Sequence, residues 1–449
     1  MTAVSVAHSA VPAEATNSYR FSFFNALNFQ IACGNSMILF AKALGGSATT
    51  IGIVAALAPM MTVLQLPTAS YITRFGYKGF VLFGWFSRFI SLLALASLPL
   101  FTFLEPSAKI ALMLVCLFVF NVIRGISTGA WLPWITSLVP ESARGAFLRS
   151  DQLSMQCGGL MAAVLSTLIL WSGSEQWRFA CLFLISAFAA KFSLDAIRKI
   201  PDIPAEEQKR SSAIPVPWLE ILRYPPFFKL LRFNVVYNWV IGGLGAFIVS
   251  FLNGRAGFSP GQILAAATFA SIGAFISVPF FALVLDRSGS KPLLQLALAL
   301  YLWVIILWTL ISGSILPASY WLVGSSYLSL GIAGGLFSIA NVRIAMDTMP
   351  IMGRAHFFAL FTVFASVSLG LAPIFWGIFL DTVGRSELQI GAFEINRFSI
   401  YFLLLIILTI VTFLYSNFLV EERGKPLDTA LRDVVILARL KLYSRFLNR

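Results

Sequence analysis

Long apolar segments separated by short polar turns run through most of the chain. Each segment is about as long as a helix that crosses a bilayer, which needs about 20 mostly apolar residues. The pattern therefore predicts twelve membrane-spanning helices, numbered here as spans 1 to 12. They cover residues 21–44, 50–72, 80–104, 110–138, 146–171, 177–197, 227–251, 261–285, 292–315, 318–346, 355–380 and 399–420.

The longest polar stretch between spans divides them into six and six. It is rich in proline and charged residues, which is the composition of a linker. The sequence thus predicts an all-α polytopic membrane protein with two six-helix bundles. The predicted regions are a cytoplasmic N-terminal tail at 1–19, an N-terminal bundle at 20–198, a cytoplasmic linker at 199–226, a C-terminal bundle at 227–420 and a basic amphipathic cytoplasmic tail at 421–449.

Composition and charge agree with this class of protein. Hydrophobic residues make up 58% of the 449 and charged residues only 11%, which leaves too little polar surface for a soluble protein of this length. The net charge of +13 would suit a nucleic-acid partner. However, with the N-terminus in the cytoplasm, most lysines and arginines fall on the cytoplasmic side, which is the positive-inside pattern. We therefore expect both termini in the cytoplasm, a bacterial-type inner membrane and no nucleic-acid partner.

Two short turns at matching positions of the two halves share a charge pattern. TRFGYK at 73–78 follows span 2, and DRSGSK at 286–291 follows span 8. The arginine, glycine and lysine of the two turns correspond in order. The halves therefore resemble parallel repeats, an architecture common among secondary transporters.

The second turn carries most of a known signature. The pattern G-x-x-x-D-R-x-G-[RK]-[RK], in the turn after the second helix of a six-helix unit, is typical of the major facilitator superfamily. The chain resembles that family across nearly all of residues 20–420. The resemblance implies two bundles related by a pseudo-two-fold axis and transport by alternating access. The sequence departs from the signature at Ala282 and Ser290, and in the first copy at Ala69 and Thr73.

In that family the turn takes part in the switch between two conformations. Glycine supplies the backbone freedom of a tight turn, and basic side chains face anionic headgroups. Asp286 can accept hydrogen bonds from a helix start or pair with a basic side chain. The alternative is a turn whose charges only set the membrane topology. The predicted conformational latch comprises Arg74, Gly76, Lys78, Asp286, Arg287, Gly289 and Lys291.

Polar residues inside the spans are candidates for substrate binding, because a polar group at membrane depth is costly unless it has a partner or a function. The resemblance implies that spans 1, 4, 7 and 10 line a central cavity. Amides can donate to and accept from a neutral polar solute. The alternative is that they bond helix to helix and hold the bundle together. The predicted substrate-binding residues are Asn25, Asn28, Arg124, Gln156, Asn234 and Asn238.

Arg124, near the middle of span 4, admits three roles. It could bind an anionic group of the substrate, take part in ion coupling, or donate to backbone carbonyls as a structural residue. The sequence places no carboxylate near mid-depth: the aspartates of the spans lie near helix ends, at Asp151, Asp195, Asp347 and Asp381. Proton coupling is therefore not supported by the sequence, and the coupling ion stays open.

Together these features predict a secondary active or facilitative transporter of a small polar or amphiphilic solute. Two alternatives stay open: an efflux antiporter for multiple drugs and other lipophilic compounds, and a membrane sensor that does not transport. The sequence has no HExxH motif, paired carboxylates or serine elbow, so we expect no enzyme, no catalytic residue, no cofactor and no metal site. The expected partners are a small-molecule substrate, the lipid bilayer and, if transport is coupled, an ion. We expect a monomer.

Overall fold

The structure is a computed structural model that describes residues 16–66, 76–140, 143–202, 218–349, 354–384, 387–419 and 421. Helices make up nearly all of these ranges, because backbone groups in a bilayer have to bond within their own segment. The helices of the first half are α1 (Asn17–Cys33), α2 (Asn35–Ala43), α3 (Ala48–Met61), α4 (Tyr77–Ser97), α5 (Pro106–Thr128), α6 (Trp131–Leu138), α7 (Arg144–Ile169) and α8 (Gln176–Arg198). Those of the second half are α9 (Trp218–Arg223), α10 (Pro225–Ile241), α11 (Leu244–Gly254), α12 (Pro260–Ser288), α13 (Ser290–Ser312), α14 (Tyr320–Thr348), α15 (Arg354–Val383) and α16 (Arg397–Ser416).

Ten helical segments in the described ranges are long and apolar enough to cross a membrane, which makes the chain a multi-pass membrane protein. They correspond to α4, α5, α7, α8, α10 together with α11, α12, α13, α14, α15 and α16. Predicted span 1 corresponds to α1 and α2. Predicted span 2 corresponds to α3 and a 3₁₀ turn at Thr62–Leu64, and the end of that span lies outside the described residues. The count of twelve stays a prediction.

Glycines interrupt two corresponding segments, predicted spans 1 and 7. Between α1 and α2, Gly34 has an extended backbone, and a Cβ at this position would collide with the carbonyl oxygen of Gln30. Between α10 and α11, Gly243 has a φ of 84°, in the left-handed region that glycine adopts without steric cost. Both segments are thus split into two shorter helices.

The chain divides into two compact units, Met1–Pro215 with Gly257–Leu264, and Val216–Ala256 with Ala265–Arg449. In the first unit, α1 packs against α7 and α8, and α4 packs against α5 and α8. Glycine allows the closest approach, since a Cβ at Gly158 of α7 would collide with the carbonyl oxygen of Phe23 in α1. Close packing of this kind holds helices together in a bilayer, where apolar burial gives no driving force.

In the second unit, α13 packs against α14 and α16, and α10 packs against α15 and α16. Here too a glycine sits at the closest approach, since a Cβ at Gly331 of α14 would collide with the carbonyl oxygen of Ala270 in α12. Aromatic rings fill much of the core, and Trp308 stacks on Phe402 with ring centroids 6.2 Å apart.

A two-stranded antiparallel ribbon lies between α15 and α16, where the sequence analysis assigned no strand. It pairs β1 (Leu388–Ile390) with β2 (Phe393–Ile395). Arg255 binds the carboxylates of Glu387, at 2.6 Å, and Glu394. The ribbon is therefore tied to the end of α11.

Candidate functional site

The interrupted segments are the first structural pointer to a binding site. In transporters built from repeats, glycine-interrupted helices at corresponding positions of the two halves mark the region where substrate binds. In this chain the predicted amides precede the breaks by one to three helical turns, on α1 at Asn25 and Asn28 and on α10 at Asn234 and Asn238. The polar groups of both helices are therefore candidates for the binding site.

On the first unit, Asn25 contacts a buried guanidinium. Its Oδ1 accepts a hydrogen bond of 3.2 Å from Nη2 of Arg88 in α4. The Arg88 residue is 2% exposed, and its Cζ lies 4.6 Å from the ring centroid of Trp85 and 5.0 Å from that of Phe120. Its Nε has no hydrogen-bond partner among the described residues. Sequence reasoning assigned no role to Arg88, although a charge within an apolar span is itself a signal of function.

Arg124 of α5 donates from Nη1 to the backbone carbonyl of Ala58 in α3, at 3.2 Å. Its Cζ lies 4.4 Å from the ring centroid of Phe29. The approach of α5 to α3 depends on the next residue, Gly125, where a Cβ would collide with the carbonyl oxygen of Met61. This contact uses only one of the N–H donors of the guanidinium. A structural role for Arg124, in which it donates to backbone carbonyls, therefore accounts for that donor and not for the others.

Two further amides complete the polar face of the first unit. Asn28 is 1% exposed, and its Oδ1 has no hydrogen-bond partner among the described residues. Asn121 of α5 donates to the Leu117 carbonyl at 2.9 Å and lies 3.8 Å from the sulfur of Cys33. An unpartnered buried carbonyl oxygen such as that of Asn28 costs free energy unless a ligand or water satisfies it.

The amides of the second unit are paired with neighbouring helices. Asn234 and Asn341 exchange hydrogen bonds of 3.2 and 2.7 Å, which join α10 to α14. Asn238 donates to Oγ of Ser368 at 2.9 Å and to the Ala365 carbonyl at 3.1 Å, which joins α10 to α15. The partner Asn341 was not named by the sequence analysis, because its pairing depends on helix contact rather than on spacing.

The remaining predicted binding residue, Gln156, is exposed on α7. The same helix carries Asp151, which accepts a 2.5 Å hydrogen bond from Ser22 of α1. No three His, Cys, Asp or Glu side chains come together to hold a metal ion in the described parts of the chain.

The two motif turns share a backbone conformation. Gly76 and Gly289 precede α4 and α13 with φ, ψ angles of 75°, 154° and 91°, 177°, a region that glycine alone adopts readily. Of the other latch residues, Lys78 lies half-buried in α4. Arg74 lies outside the described residues, and the side chains of Asp286 and Arg287 lie outside the described ones as well.

Lys291 is bonded within the second unit. Its Nζ donates to the carbonyls of Asn417 at 2.7 Å and Leu419 at 3.3 Å, just after α16. The carboxylate of Glu421 accepts from the backbone N–H groups of Ser290 at 2.6 Å and Lys291 at 2.7 Å. A carboxylate at a helix N-terminus and an ammonium at a C-terminus are both favourable. Glu421 therefore ties the motif turn to the end of α16, a contact that the sequence did not indicate.

Comparison with known proteins gives a family and a fold. The sequence profile of the Major Facilitator Superfamily matches residues 21–328. No curated protein sequence is significantly similar to the chain.

Three solved structures share the fold at low sequence identity. The nucleoside transporter NupG is 14% identical with a TM-score of 0.67, over 91% of this chain and 99% of that one. A D-xylose-proton symporter is 13% identical with a TM-score of 0.70, over 92% and 97%. A POT family transporter in complex with 5-aminolevulinic acid is 13% identical with a TM-score of 0.67, over 91% and 97%.

Proposed function

Because the chain belongs to the Major Facilitator Superfamily, we propose that it carries a small polar solute across a bacterial-type inner membrane by alternating access. The family consists of secondary transporters, so the chain is a multi-pass transporter and its membership implies that it is not an enzyme. The finer architecture that we propose is twelve spanning helices in two six-helix bundles, 20–198 and 227–420, joined by the linker 199–226. We propose cytoplasmic tails at 1–19 and 421–449, and a monomer.

The proposed substrate class rests on two buried polar groups, one on α1 and one on α4, that have no hydrogen-bond partner among the described residues. The Oδ1 of Asn28 and the Nε of Arg88 are both buried and unbonded in the described structure. The cost of burying such groups is offset when a ligand supplies the missing hydrogen bonds. We therefore propose Asn28 as a residue of the substrate site. We add Asn25, which bonds Arg88, and Arg124, which lies against α1 at Phe29.

The second unit contributes differently in this proposal. Asn234 exchanges hydrogen bonds with Asn341 of α14, and Asn238 donates to Ser368 of α15. Both residues therefore fix α10, and since an amide oxygen has two lone pairs, each can still accept a hydrogen bond from a solute. Gln156, exposed on α7, completes the proposed set. The structural relatives include proteins named as nucleoside and D-xylose transporters, and solutes of that size and polarity are compatible with amide recognition.

Uptake into proteoliposomes tests the proposal. Purified protein is reconstituted and offered radiolabelled nucleosides, sugars, amino acids and carboxylic acids, with lipophilic cations as a separate class. We expect uptake of one polar class, and we expect Asn28→Ala to reduce it at least tenfold. The control is Gln30→Ala, an exposed amide on the opposite face of α1, which should transport as the wild type does.

The outcomes separate the alternatives. Transport of lipophilic cations alone would replace the proposal with drug efflux. Absence of transport for every class, with specific binding retained, would favour the sensor. The coupling ion is read from the dependence of uptake on imposed proton and sodium gradients.

The proposed latch has its own test. Asp286→Asn should change the balance between inward-facing and outward-facing states, measured by the rates of cysteine crosslinking on the cytoplasmic side. Unchanged rates would leave the turn with a topological role only.

A further inference from the structure

Two arginines of the first unit lie in one region, and neither forms an ion pair with a carboxylate among the described residues. Arg88 of α4 donates to Asn25 of α1 and lies over the ring of Phe120 in α5. About one helical turn further along the same two helices, Arg124 of α5 lies over the ring of Phe29 of α1. The ion pairs seen in the described part of the first unit join Arg178 to Glu175 and Arg198 to Asp195 instead. Two like charges, one buried and one partly buried, therefore share one region of the apolar bundle.

The contacts of both arginines leave their charge uncompensated. Arg88 bonds one amide oxygen and Arg124 one backbone carbonyl. Among the described residues, the two guanidiniums also lie over the rings of Trp85, Phe120 and Phe29. Aromatic faces attract a cation, but they do not neutralise it. An unpaired charge at membrane depth is costly, and two adjacent charges of the same sign add repulsion.

The hydrogen bonds of Arg88, the more buried of the two arginines, indicate which kind of chemical group would complete them. The Nη2 of Arg88 uses one of its two N–H groups on Asn25. Its Nε is buried with no hydrogen-bond partner among the described residues. A guanidinium edge matches the two oxygens of a carboxylate or a phosphate. Arg124 is only partly buried, so it presents the accessible side of the pair.

We propose that Arg88 and Arg124 form an oxyanion-binding site, and that the transported solute therefore carries a carboxylate or phosphate group. This inference rests on the proposed transport function and narrows its substrate class. An anion would accept a hydrogen bond from Nε of Arg88 and screen the repulsion between the two guanidiniums. The same charges repel cations, which argues against efflux of lipophilic cations through this site.

Thermal unfolding of the purified full-length protein in detergent tests the site directly. The probes are inorganic phosphate, acetate and succinate at constant ionic strength, with glucose and uridine as neutral solutes and tetraphenylphosphonium as a cation. A ligand that binds only the folded state raises the unfolding temperature. We expect one anion class to do so, and the comparison of phosphate with the two carboxylates identifies which group is recognised.

Variants separate a binding role from a structural one. Arg88→Gln and Arg124→Gln should each abolish the anion-dependent rise, and Arg88→Lys should weaken binding roughly 10- to 150-fold, since it keeps the charge but loses the fork. Without ligand, Arg88→Gln should unfold at a higher temperature than the wild type, because an uncompensated buried charge is removed. Arg198→Gln removes an exposed positive charge of the same unit and should leave the anion response intact.

Several results would overturn the inference. They are a rise with glucose or uridine but with no anion, an unchanged anion response in both glutamine variants, no response to any probe, or loss of folding in Arg88→Gln. If a neutral solute raises the unfolding temperature and is taken up, the proposed transport function holds and the proposed anion site is wrong. If an anion binds but is not taken up into proteoliposomes, the proposed anion site holds and the proposed transport function is wrong.

Discussion

At both motif turns, a backbone angle decides which residue can be accommodated. Gly76 and Gly289 combine φ values of 75° and 91° with extended ψ, and a Cβ is strained in that region whatever the surrounding space. The sequence repeat had matched these two glycines before any geometry was considered. Their shared conformation gives a physical reason for the match, independent of the role of the neighbouring charges.

Gly289→Ala should lower the free energy of unfolding by about 1–3 kcal/mol, because alanine has to adopt the same positive φ. The unfolding temperature in detergent measures the effect. Gly79→Ala is a matched control within α4, where an added Cβ meets nothing within 4 Å and alanine is the better helix former. Equal unfolding temperatures for the two variants would show that the turn relaxes without strain.

At the scale of elements, hydrogen bonds from polar side chains join the ends of neighbouring helices, which apolar packing alone does not hold in register. Glu421 binds the start of α13, and Gln295 of α13 donates to Asn417, after α16, at 3.0 Å. At the other end of the same pair of helices, Asn396 caps α16 through a capping box and donates to the Ser312 carbonyl of α13 at 2.7 Å. The residues that form these hydrogen bonds are far apart along the chain, so the contact between the helices determines which residues pair.

The ribbon between α15 and α16 should respond to acid. The hydrogen bond from Ser314 and the guanidinium of Arg255 hold the pKa of Glu394 below its ordinary value of 4.5, with Asn396 adding to the effect. A carboxyl whose pKa is depressed by folding stabilises the fold above its unfolded pKa, and this contribution is lost as the pH falls through the folded pKa. The ribbon should therefore loosen below about pH 4.5.

Hydrogen exchange of the β1 and β2 amides at pH 7 and pH 4, corrected for the intrinsic exchange rate, measures this loosening. Glu394→Gln should remove most of the difference between the two pH values. Glu387→Gln, which changes a more exposed partner of the same Arg255, should retain it. Because the cluster is partly open to solvent, we expect a local effect on the ribbon. An acid response that survives Glu394→Gln would assign it to another group.

At the scale of the whole molecule, the two units differ in how their buried amide and guanidinium groups are bonded, although each unit also holds buried hydroxyl or indole groups with no partner in the described structure. In the second unit the amides of α10 are bonded to α14 and α15. In the first unit, Asn28 and Arg88 retain buried atoms with no partner in the described structure. A bonded amide rigidifies a bundle, whereas an unbonded one is available to a ligand. The unpartnered amide oxygen and guanidinium nitrogen of the described structure therefore both lie in the first unit.

This asymmetry predicts opposite effects of similar substitutions. Asn234→Ala should lower the unfolding temperature, because it leaves the amide of Asn341 without its partner. The double variant with Asn341→Ala should cost less than the sum of the two single changes. Asn28→Ala should leave the unfolding temperature unchanged or higher while reducing uptake. A destabilised Asn28→Ala with normal uptake would reverse the assignment.

The sequence by itself determined the class of the protein and most of its elements. Apolar length predicts spanning helices because a bilayer admits little else, and the turn at 286–291 carried the resemblance to the family that the profile match confirms. Glycine positions marked the motif turns, since backbone freedom is a local property of one residue. The sequence did not predict the ribbon, because each strand has only three residues and so is too short to show the alternation of apolar and polar residues that marks a strand.

Only the tertiary structure decided which polar residues have partners. Asn28 and Asn234 are the same residue type on corresponding helices, yet one carbonyl oxygen is unbonded and the other amide is paired across 107 residues of sequence. Arg88 and Arg124 lie on different helices, and packing brings both side chains onto α1, at Asn25 and at Phe29. Hydrogen bonds and electrostatic contacts depend on distance in space, and in a bundle of long helices that distance is set by packing, which no local pattern encodes.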